Sequence, residues 1–314
     1  MTRRVLVTGG AGFIGSHVAD AYGSAGYEVT VLDDLSAGRR ENVPACARFV
    51  AADVRSPAAR ELVARGGFAL LNHHAAQIDV RRSVSDPVRD ADVNVLGLLN
   101  LLEGARAGGV RRVVFASSGG VVYGALAELP IPETAPKLPS SPYGVAKLAS
   151  EYYLATFAQL HGIEAVALRY SNVYGPRQDP NGEAGVVAIF ARRLLSGDPL
   201  TIYGDGEQTR DMVYVGDVVH ANLIASDQPL AALSHLDSRT YNIGTGVETS
   251  VNQLAALLAQ TAGRRAEIHH AAARPGELRR NALAVGKAAQ QLGWRPRTPL
   301  AEGLQQTVRW FSED

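Results

Sequence analysis

Short apolar runs rich in β-branched residues alternate along this chain with longer stretches in which apolar positions recur every three or four residues. Residues 5–8, 29–32, 48–50, 69–72, 113–116 and 165–169 read as strands, and residues 13–25, 84–107 and 143–161 as helices. Alternation of this kind builds βαβ units. It predicts an α/β fold with a doubly wound parallel sheet of the Rossmann type. Right-handed crossovers then place ligands at the carboxyl ends of the strands.

Beyond residue 172 the rhythm changes. A Gly/Pro-rich loop at 175–185 leads into a helix at 186–195, and further short strands and helices run to Trp310. The pattern predicts a dinucleotide-type domain over 1–172, with later segments interleaved, and a second, smaller α/β substrate domain over 173–314. The stretch 129–142 carries Pro130, Pro132, Pro136, Pro139 and Pro142, which predicts an extended surface loop.

A chain of 314 residues suits a large α/β domain with a smaller appended part. Its formal net charge of +0 gives no electrostatic case for nucleic acid or a membrane surface. The single cysteine, Cys46, has no internal partner and implies no oxidising compartment. The apolar run after Met1-Thr2-Arg3-Arg4 is short and soon broken by glycine, unlike a signal peptide, and no stretch reaches the ~18 apolar residues of a spanning helix. The reading is a soluble cytoplasmic protein. The pairs His73-His74 and His269-His270 lack companions at metal-ligand spacing, so no metal site is predicted.

The candidate chemistry begins at Val5-Leu6-Val7-Thr8-Gly9-Gly10-Ala11-Gly12-Phe13-Ile14-Gly15. Glycines between a strand and a helix allow a tight turn, let the backbone approach a pyrophosphate and let helix pack on strand. The helix N-terminus adds N–H groups and a partial positive charge. Asp33, eighteen residues past Gly15, ends the second strand and suits the adenosine ribose hydroxyls. A 2′-phosphate there would meet a carboxylate at a cost of roughly 1–4 kcal/mol, which favours NAD over NADP. Arg39 and Arg40 stand a few residues on and could offset that preference.

Tyr143 and Lys147 lie four residues apart, on one face of a predicted helix. A phenol of pKa ~10 is a poor base at neutral pH, and lowering it by ~3 units takes roughly 4 kcal/mol. The Lys147 ammonium and a cationic nicotinamide ring are the two available sources. On its own Tyr-x-x-x-Lys is a common helical accident; the glycine turn upstream makes it a catalytic pair. A hydroxyl should hold the reacting oxygen, and Ser117-Ser118 end the fifth strand. Ser118 is the first choice and Ser117 the alternate. Gly119 and Gly120 follow and let the chain pass close to a ligand.

These segments resemble the extended short-chain dehydrogenases/reductases, and most closely the nucleotide-sugar 4-epimerases of the UDP-glucose 4-epimerase type. The likeness runs nearly end to end. It adds His74-Ala75-Ala76-Gln77, Leu168-Arg169-Tyr170-Ser171-Asn172-Val173-Tyr174-Gly175-Pro176-Arg177, Tyr203-Gly204-Asp205-Gly206, Arg210-Asp211 and Arg274-Pro275-Gly276-Glu277 to the segments above. The resemblance implies that Gly9, Gly12, Phe13, Ile14, Gly15 and Asp33 bind NAD, that Asp53 and Val54 flank its adenine, that Ala75, Ala76 and Gln77 line it, and that Asn94 supports the site. It implies Tyr143 as base, Lys147 as its tuner and Ser118 as hydroxyl partner. For a UDP-sugar it implies Asn172 at the diphosphate, Val187, Thr201 and Tyr203 at the nucleoside, Arg210 and Arg274 at the pyrophosphate, and Glu277 at the nucleotide ribose. A planar guanidinium fork suits a diphosphate on chemical grounds as well. The family's dimers pair two helices per subunit, here 84–107 and 143–161, so a homodimer is expected.

The chain departs from the commoner epimerases in two places: Ser118 to Tyr123 is one residue longer, and Met212 follows Arg210-Asp211 where an aromatic is common. Sister families dehydrate or decarboxylate after the same C4 oxidation, and need an acid or base after the hydroxyl residue. Gly119-Gly120 supply none. Epimerisation needs oxidation at C4, rotation of the 4-keto sugar and return of the hydride, so it is the reaction predicted. UDP-glucuronate epimerisation, or another NAD-dependent change to a nucleotide sugar, is the alternative, and a non-catalytic NAD-binding scaffold is the reading from another class. Seven residues past Arg274, Asn281 is smaller than an aromatic, and the resemblance places it near the sugar C2 substituent. N-acetylated substrates therefore stay open beside UDP-glucose and UDP-galactose.

Overall fold

A computed structural model describes residues 3–126, 128–181, 185–274 and 278–313. The first half alternates strand and helix: β1 (Arg4–Thr8), α1 (Phe13–Ser24), β2 (Glu28–Asp33), β3 (Arg48–Ala51), α2 (Pro57–Arg65), β4 (Leu70–His73), α3 (Val80–Ser85), α4 (Pro87–Ala91), α5 (Gly97–Gly108), β5 (Arg112–Ser118), α6 (Pro142–His161) and β6 (Glu164–Tyr170). There follow β7 (Asn172–Tyr174), α7 (Val186–Ser196), β8 (Leu200–Tyr203), β9 (Thr209–Tyr214), α8 (Val215–Asp227), β10 (Thr240–Ile243), β11 (Glu248–Ser250), α9 (Val251–Thr261), β12 (Ile268–Ala271), α10 (Gly286–Gln291) and α11 (Leu300–Glu313).

Seven parallel strands form the main sheet in the order β10-β6-β5-β4-β1-β2-β3, as the doubly wound prediction requires. The order reverses between β1 and β4, and the crevice outside that switch point is where such sheets bind ligands. Side chains alternate across the sheet. Val5 and Val7 join a core against α1 and α8, while Leu6 joins one against α2, α5 and α6. A third core gathers α7, α9 and α11 around Leu200 and Ile202 of β8. Two small sheets, β11-β9-β7 and β12-β8, complete the carboxyl half.

The later segments return to the main sheet. β10 pairs with β6 from Thr240↔Ala167 to Ile243↔Tyr170, and α8 packs on α1.

Three local expectations change. The helix expected over 84–107 is broken. Asp86 caps α4 by accepting from Arg89 N, with Pro87 at the first turn, and Asp92–Leu96 forms a π turn ahead of α5. Proline cannot continue the helix before it, and a π turn rotates the side chains that follow. An extra helix, α2, starts at Ser56, whose hydroxyl accepts from Ala59 N with Pro57 in the first turn. The proline-rich stretch 129–142 is pinned rather than lying free on the surface. Ile131 is 1% exposed, donates to Ala282 O at 2.8 Å and accepts from Ala284 N at 2.9 Å. The flanking prolines hold it extended and leave its own N–H free to pair.

Candidate active site

The glycine turn joins β1 to α1. Gly9 has φ +69°, a left-handed conformation that favours glycine. A Cβ there would lie 2.5 Å from Ala75 N, and one on Gly15 would lie 2.2 Å from Gly9 O. The turn therefore presses against the loop after β4, and α1 packs on the turn with no room for a side chain. Gly12 caps α1 without a side-chain acceptor, and no acid occupies the first turn. The N–H groups of Phe13, Ile14 and Gly15 thus face no internal anion. Asp33, at the end of β2, accepts from Ala11 N at 3.0 Å and from Leu35 N at 2.8 Å. Those bonds fix the carboxylate beside the turn while each oxygen keeps a free lone pair. A backbone cradle that excludes Cβ atoms, an uncapped helix end and a fixed carboxylate fit a dinucleotide.

Asn94, carried by the π turn, accepts from Gln77 N at 2.9 Å and donates to Gln77 O at 3.0 Å. It holds the loop of Ala75, Ala76 and Gln77 through the Gln77 backbone. Asp53 is bound by Arg55, whose cation holds the carboxyl below its usual range. Val54 is buried against Gly97, at the start of α5.

Ser141 caps α6 by accepting from Gly144 N at 3.2 Å, with Pro142 in the first turn, and this sets the register of Tyr143 and Lys147. Both are buried. Lys147 Nζ donates to Ala116 O at 2.9 Å and stands 5.7 Å from the Tyr143 ring centroid. Burial pushes the Tyr143 phenol up, and the Asp90 carboxylate adds to this. Burial lowers Lys147 to about 8 against the upward pull of Asp90 and Glu151.

The two serines separate clearly. Ser117 Oγ donates to Glu151 Oε1 at 2.6 Å, inside a buried ion pair. Arg169 meets Glu151 through two bonds, Nε–Oε1 at 2.9 Å and Nη2–Oε2 at 2.6 Å, and also reaches Asp237 and the Tyr123 hydroxyl. Ser117 is thus a structural anchor for the end of β5. Ser118 is only part-buried, and a Cβ on Gly120 would lie 3.7 Å from its Oγ.

Asn172 opens β7 and pairs in register with Met212, two residues past Arg210. Arg210 donates to Thr209 O and Leu278 O, each at 2.8 Å. Thr201 and Tyr203 lie on β8, where Arg193 donates to Thr201 Oγ1 at 3.1 Å. The Arg274 guanidinium stands 4.0 Å from the Tyr203 ring centroid, a stacked cation that also faces outward. Val187 is wholly buried in the third core, so its side chain packs and only its backbone is left for a ligand. Glu277 lies outside the described residues.

Residues 281–284 join the two groups. Leu283 N donates to Asp211 Oδ2 at 3.1 Å, and a Cβ on Gly119 would lie 2.4 Å from Leu283 Cδ1. Asn281, two residues earlier, is 1% exposed, and neither atom of its amide has a hydrogen-bond partner. Among the described residues no group of three or more His, Cys, Asp or Glu could hold a metal ion, and no helix is long and apolar enough to cross a membrane.

Three groups escaped the reading of the sequence: Asp90, Glu151 and Arg177. Glu151 carried a signal, since it follows Lys147 by four residues on the same helix face. Arg177 has φ +66° and ties the loop after β7 to α1 through Asp20 at 2.6 Å.

Comparison with known proteins agrees with this geometry. Residues 5–244 match the NAD dependent epimerase/dehydratase family. UDP-glucose 4-epimerase of Mycolicibacterium smegmatis is 45% identical over 313 residues, covering 98% of each chain. The structure of Thermotoga maritima UDP-glucose 4-epimerase with UDP-glucose superposes with a TM-score of 0.93 at 45% identity, covering 99% of both chains. That of the Thermus thermophilus UDP-glucose 4-epimerase complex with NAD gives 0.89 at 46% identity, covering 98% of this chain and 99% of that one. With its glycine turn, its Tyr143–Lys147 helix and its near-full-length relatives, the chain belongs to the NAD dependent epimerase/dehydratase family of extended short-chain dehydrogenases/reductases.

Proposed function

We infer that this chain is an NAD-dependent 4-epimerase of UDP-sugars, with UDP-glucose and UDP-galactose as the leading pair. The observation that supports this is the end of β5: Ser118 is free of the Glu151 bond that holds Ser117, and the next positions, Gly119 and Gly120, hold no proton-transfer group. Leu283 closes on Gly119, so the backbone there has no space for a further acid or base. Bound NAD supplies the hydride chemistry at the sugar C4. Tyr143 takes the C4 hydroxyl proton and later returns it, and Ser118 holds the reacting oxygen. Lys147 brings positive charge to the phenol. Burial opposes that effect in the protein itself, so the lowering calls for a second positive charge, which bound NAD would supply.

The carboxyl half, 173–314, supplies the sugar-nucleotide side of the site in this reading. Asn172, Thr201, Tyr203, Arg210 and Arg274 hold the nucleoside diphosphate, with Glu277 at its ribose. The unpartnered Asn281 amide supports a second substrate class, sugars whose C2 carries an N-acetyl group, because such a group offers the amide a donor and an acceptor. The test is proton NMR of the purified protein with UDP-galactose and no added NAD. Anomeric signals of UDP-glucose are expected to grow in. Protein that carries NAD but converts none of the UDP-galactose, UDP-GlcNAc or UDP-glucuronate presented to it would overturn the reading.

The same reading includes a homodimer. Val88, Leu96, Val145, Tyr152 and Leu160 are exposed on α4, the π turn and α6, elements that pack on one another, and exposed apolar residues grouped in this way support an interface. Sedimentation is expected to give a dimer for the wild type and a monomer for the double variant Val88→Asp/Tyr152→Asp. A monomeric wild type would remove this part.

A further inference from the structure

Asp90 lies on α4 and is 1% exposed, yet none of the chemistry above uses it. Its Oδ1 accepts from Gln77 Nε2 at 2.9 Å and from Asn94 Nδ2 at 3.0 Å. Its Oδ2 is buried without a hydrogen-bond partner. A buried carboxylate with one bare oxygen is costly unless a cation compensates it. Helix α4 packs on α6, and the cation acting on Asp90 is the Lys147 ammonium.

Of the other groups around Lys147, Glu151 also acts on it but is shared with a guanidinium, and the rest bring no negative charge. Glu151, on the same helix, is held by both bonds of the Arg169 fork. His73 and His74, at and just past the end of β4, are held at about 3 by burial and by Lys147 itself, so they are neutral near pH 7. Tyr143, one turn back on α6, is protonated in the protein alone. Asp90, on the helix packed against α6, is therefore the carboxylate acting on Lys147 that no guanidinium has claimed among the described residues. It is also the common root of the clamp on Gln77, directly and through Asn94, and that loop abuts the glycine turn at Gly9.

We propose that Asp90 is a positioning residue with two tasks: its carboxylate supplies the counter-charge for the Lys147 ammonium beside Tyr143, and it fixes the Gln77 loop against the cofactor turn. The first task rests on the epimerase reading; the second does not. The Asp90 carboxylate favours the protonated form of both Tyr143 and Lys147. Removing the charge lets the phenol ionise at lower pH, and it also lets the ammonium lose its proton at lower pH. Turnover needs the phenolate and the ammonium together, so both limbs of the pH profile move towards acid.

Asp90→Asn keeps an acceptor oxygen for Gln77 and Asn94 but loses the charge, whereas Asp90→Ala loses both. The experiment compares both variants with the wild type, measuring NAD retained through gel filtration and the pH profile of kcat for UDP-galactose. Asp90→Asn is expected to retain NAD as the wild type does, with both limbs displaced by about 0.5–1 pH unit to lower pH. Asp90→Ala is expected to lose NAD on the column. A profile for Asp90→Asn that superimposes on the wild type overturns the counter-charge, and full NAD retention by Asp90→Ala overturns the clamp. If Asp90→Ala fails to fold, Asp90→Leu, which fills the volume but offers Gln77 and Asn94 no acceptor, decides the clamp by the same column assay. A wild type that converts no UDP-sugar fails the epimerase reading instead, and the NAD measurement still decides the clamp.

Discussion

Tyr143→Phe is expected to lower kcat on the order of 10³-fold while leaving bound NAD and the fold intact. General acid–base groups are worth roughly 10²–10⁴-fold, and the phenol is the group on α6 placed to take the proton. The variant removes one hydroxyl from a ring that stays buried, and that hydroxyl has no hydrogen-bond partner among the described protein groups whose loss would unfold anything. The split between retained NAD and lost turnover is the diagnostic. NAD content after gel filtration and turnover of UDP-galactose measure the two halves separately. Near-full turnover in Tyr143→Phe would remove the tyrosine from the chemistry.

Arg169→Ala is expected to produce the largest loss of stability. Arg169 is 0% exposed and Glu151 is 2% exposed, so removing the guanidinium strands a buried carboxylate. Breaking such a pair from one side costs about 3–5 kcal/mol. For a chain of 314 residues that is a fall in Tm of roughly 5–8 °C. The double variant Arg169→Met/Glu151→Leu should recover much of it, because desolvation then penalises neither partner. The end of β5 should still be affected, since Ser117 loses the acceptor that anchors it. Thermal unfolding of both variants measures the effect, and an unchanged Tm for Arg169→Ala would show that the pair contributes nothing.

How far the sequence could be read follows from which interactions are local. The glycine turn was legible because a left-handed residue and a close backbone approach both demand glycine within seven positions, Gly9 to Gly15. Tyr143 and Lys147 were legible because four residues make one helical turn. The ion pair of Glu151 and Arg169 was not, because it joins a helix to the next strand, and nothing in either segment says that the two side chains meet. Ser118 was preferred to Ser117 in one dimension, with no contact there to separate the two. The Glu151 carboxylate, reaching across from α6, ties Ser117 into the structure, and Ser118 takes no part in that bond. The broken helix shows the reverse case. Asp86-Pro87 was a visible stop signal, but the apolar period continued through it, and the π turn that carries Asn94 has no marker in the sequence.

The position of β10 bears on how the chain is made. The edge of the main sheet beside β6 is closed by residues 240–243, and α8, at 215–227, covers one face of β5 and β6. As the chain leaves the ribosome, the first 172 residues emerge with β6 as a bare edge and part of the sheet still exposed to water. An uncovered edge of this kind invites pairing with other chains. Completion of the seven-stranded sheet therefore waits on more than seventy further residues, and synthesis that stalls in this interval is expected to yield an aggregation-prone chain rather than a smaller working enzyme.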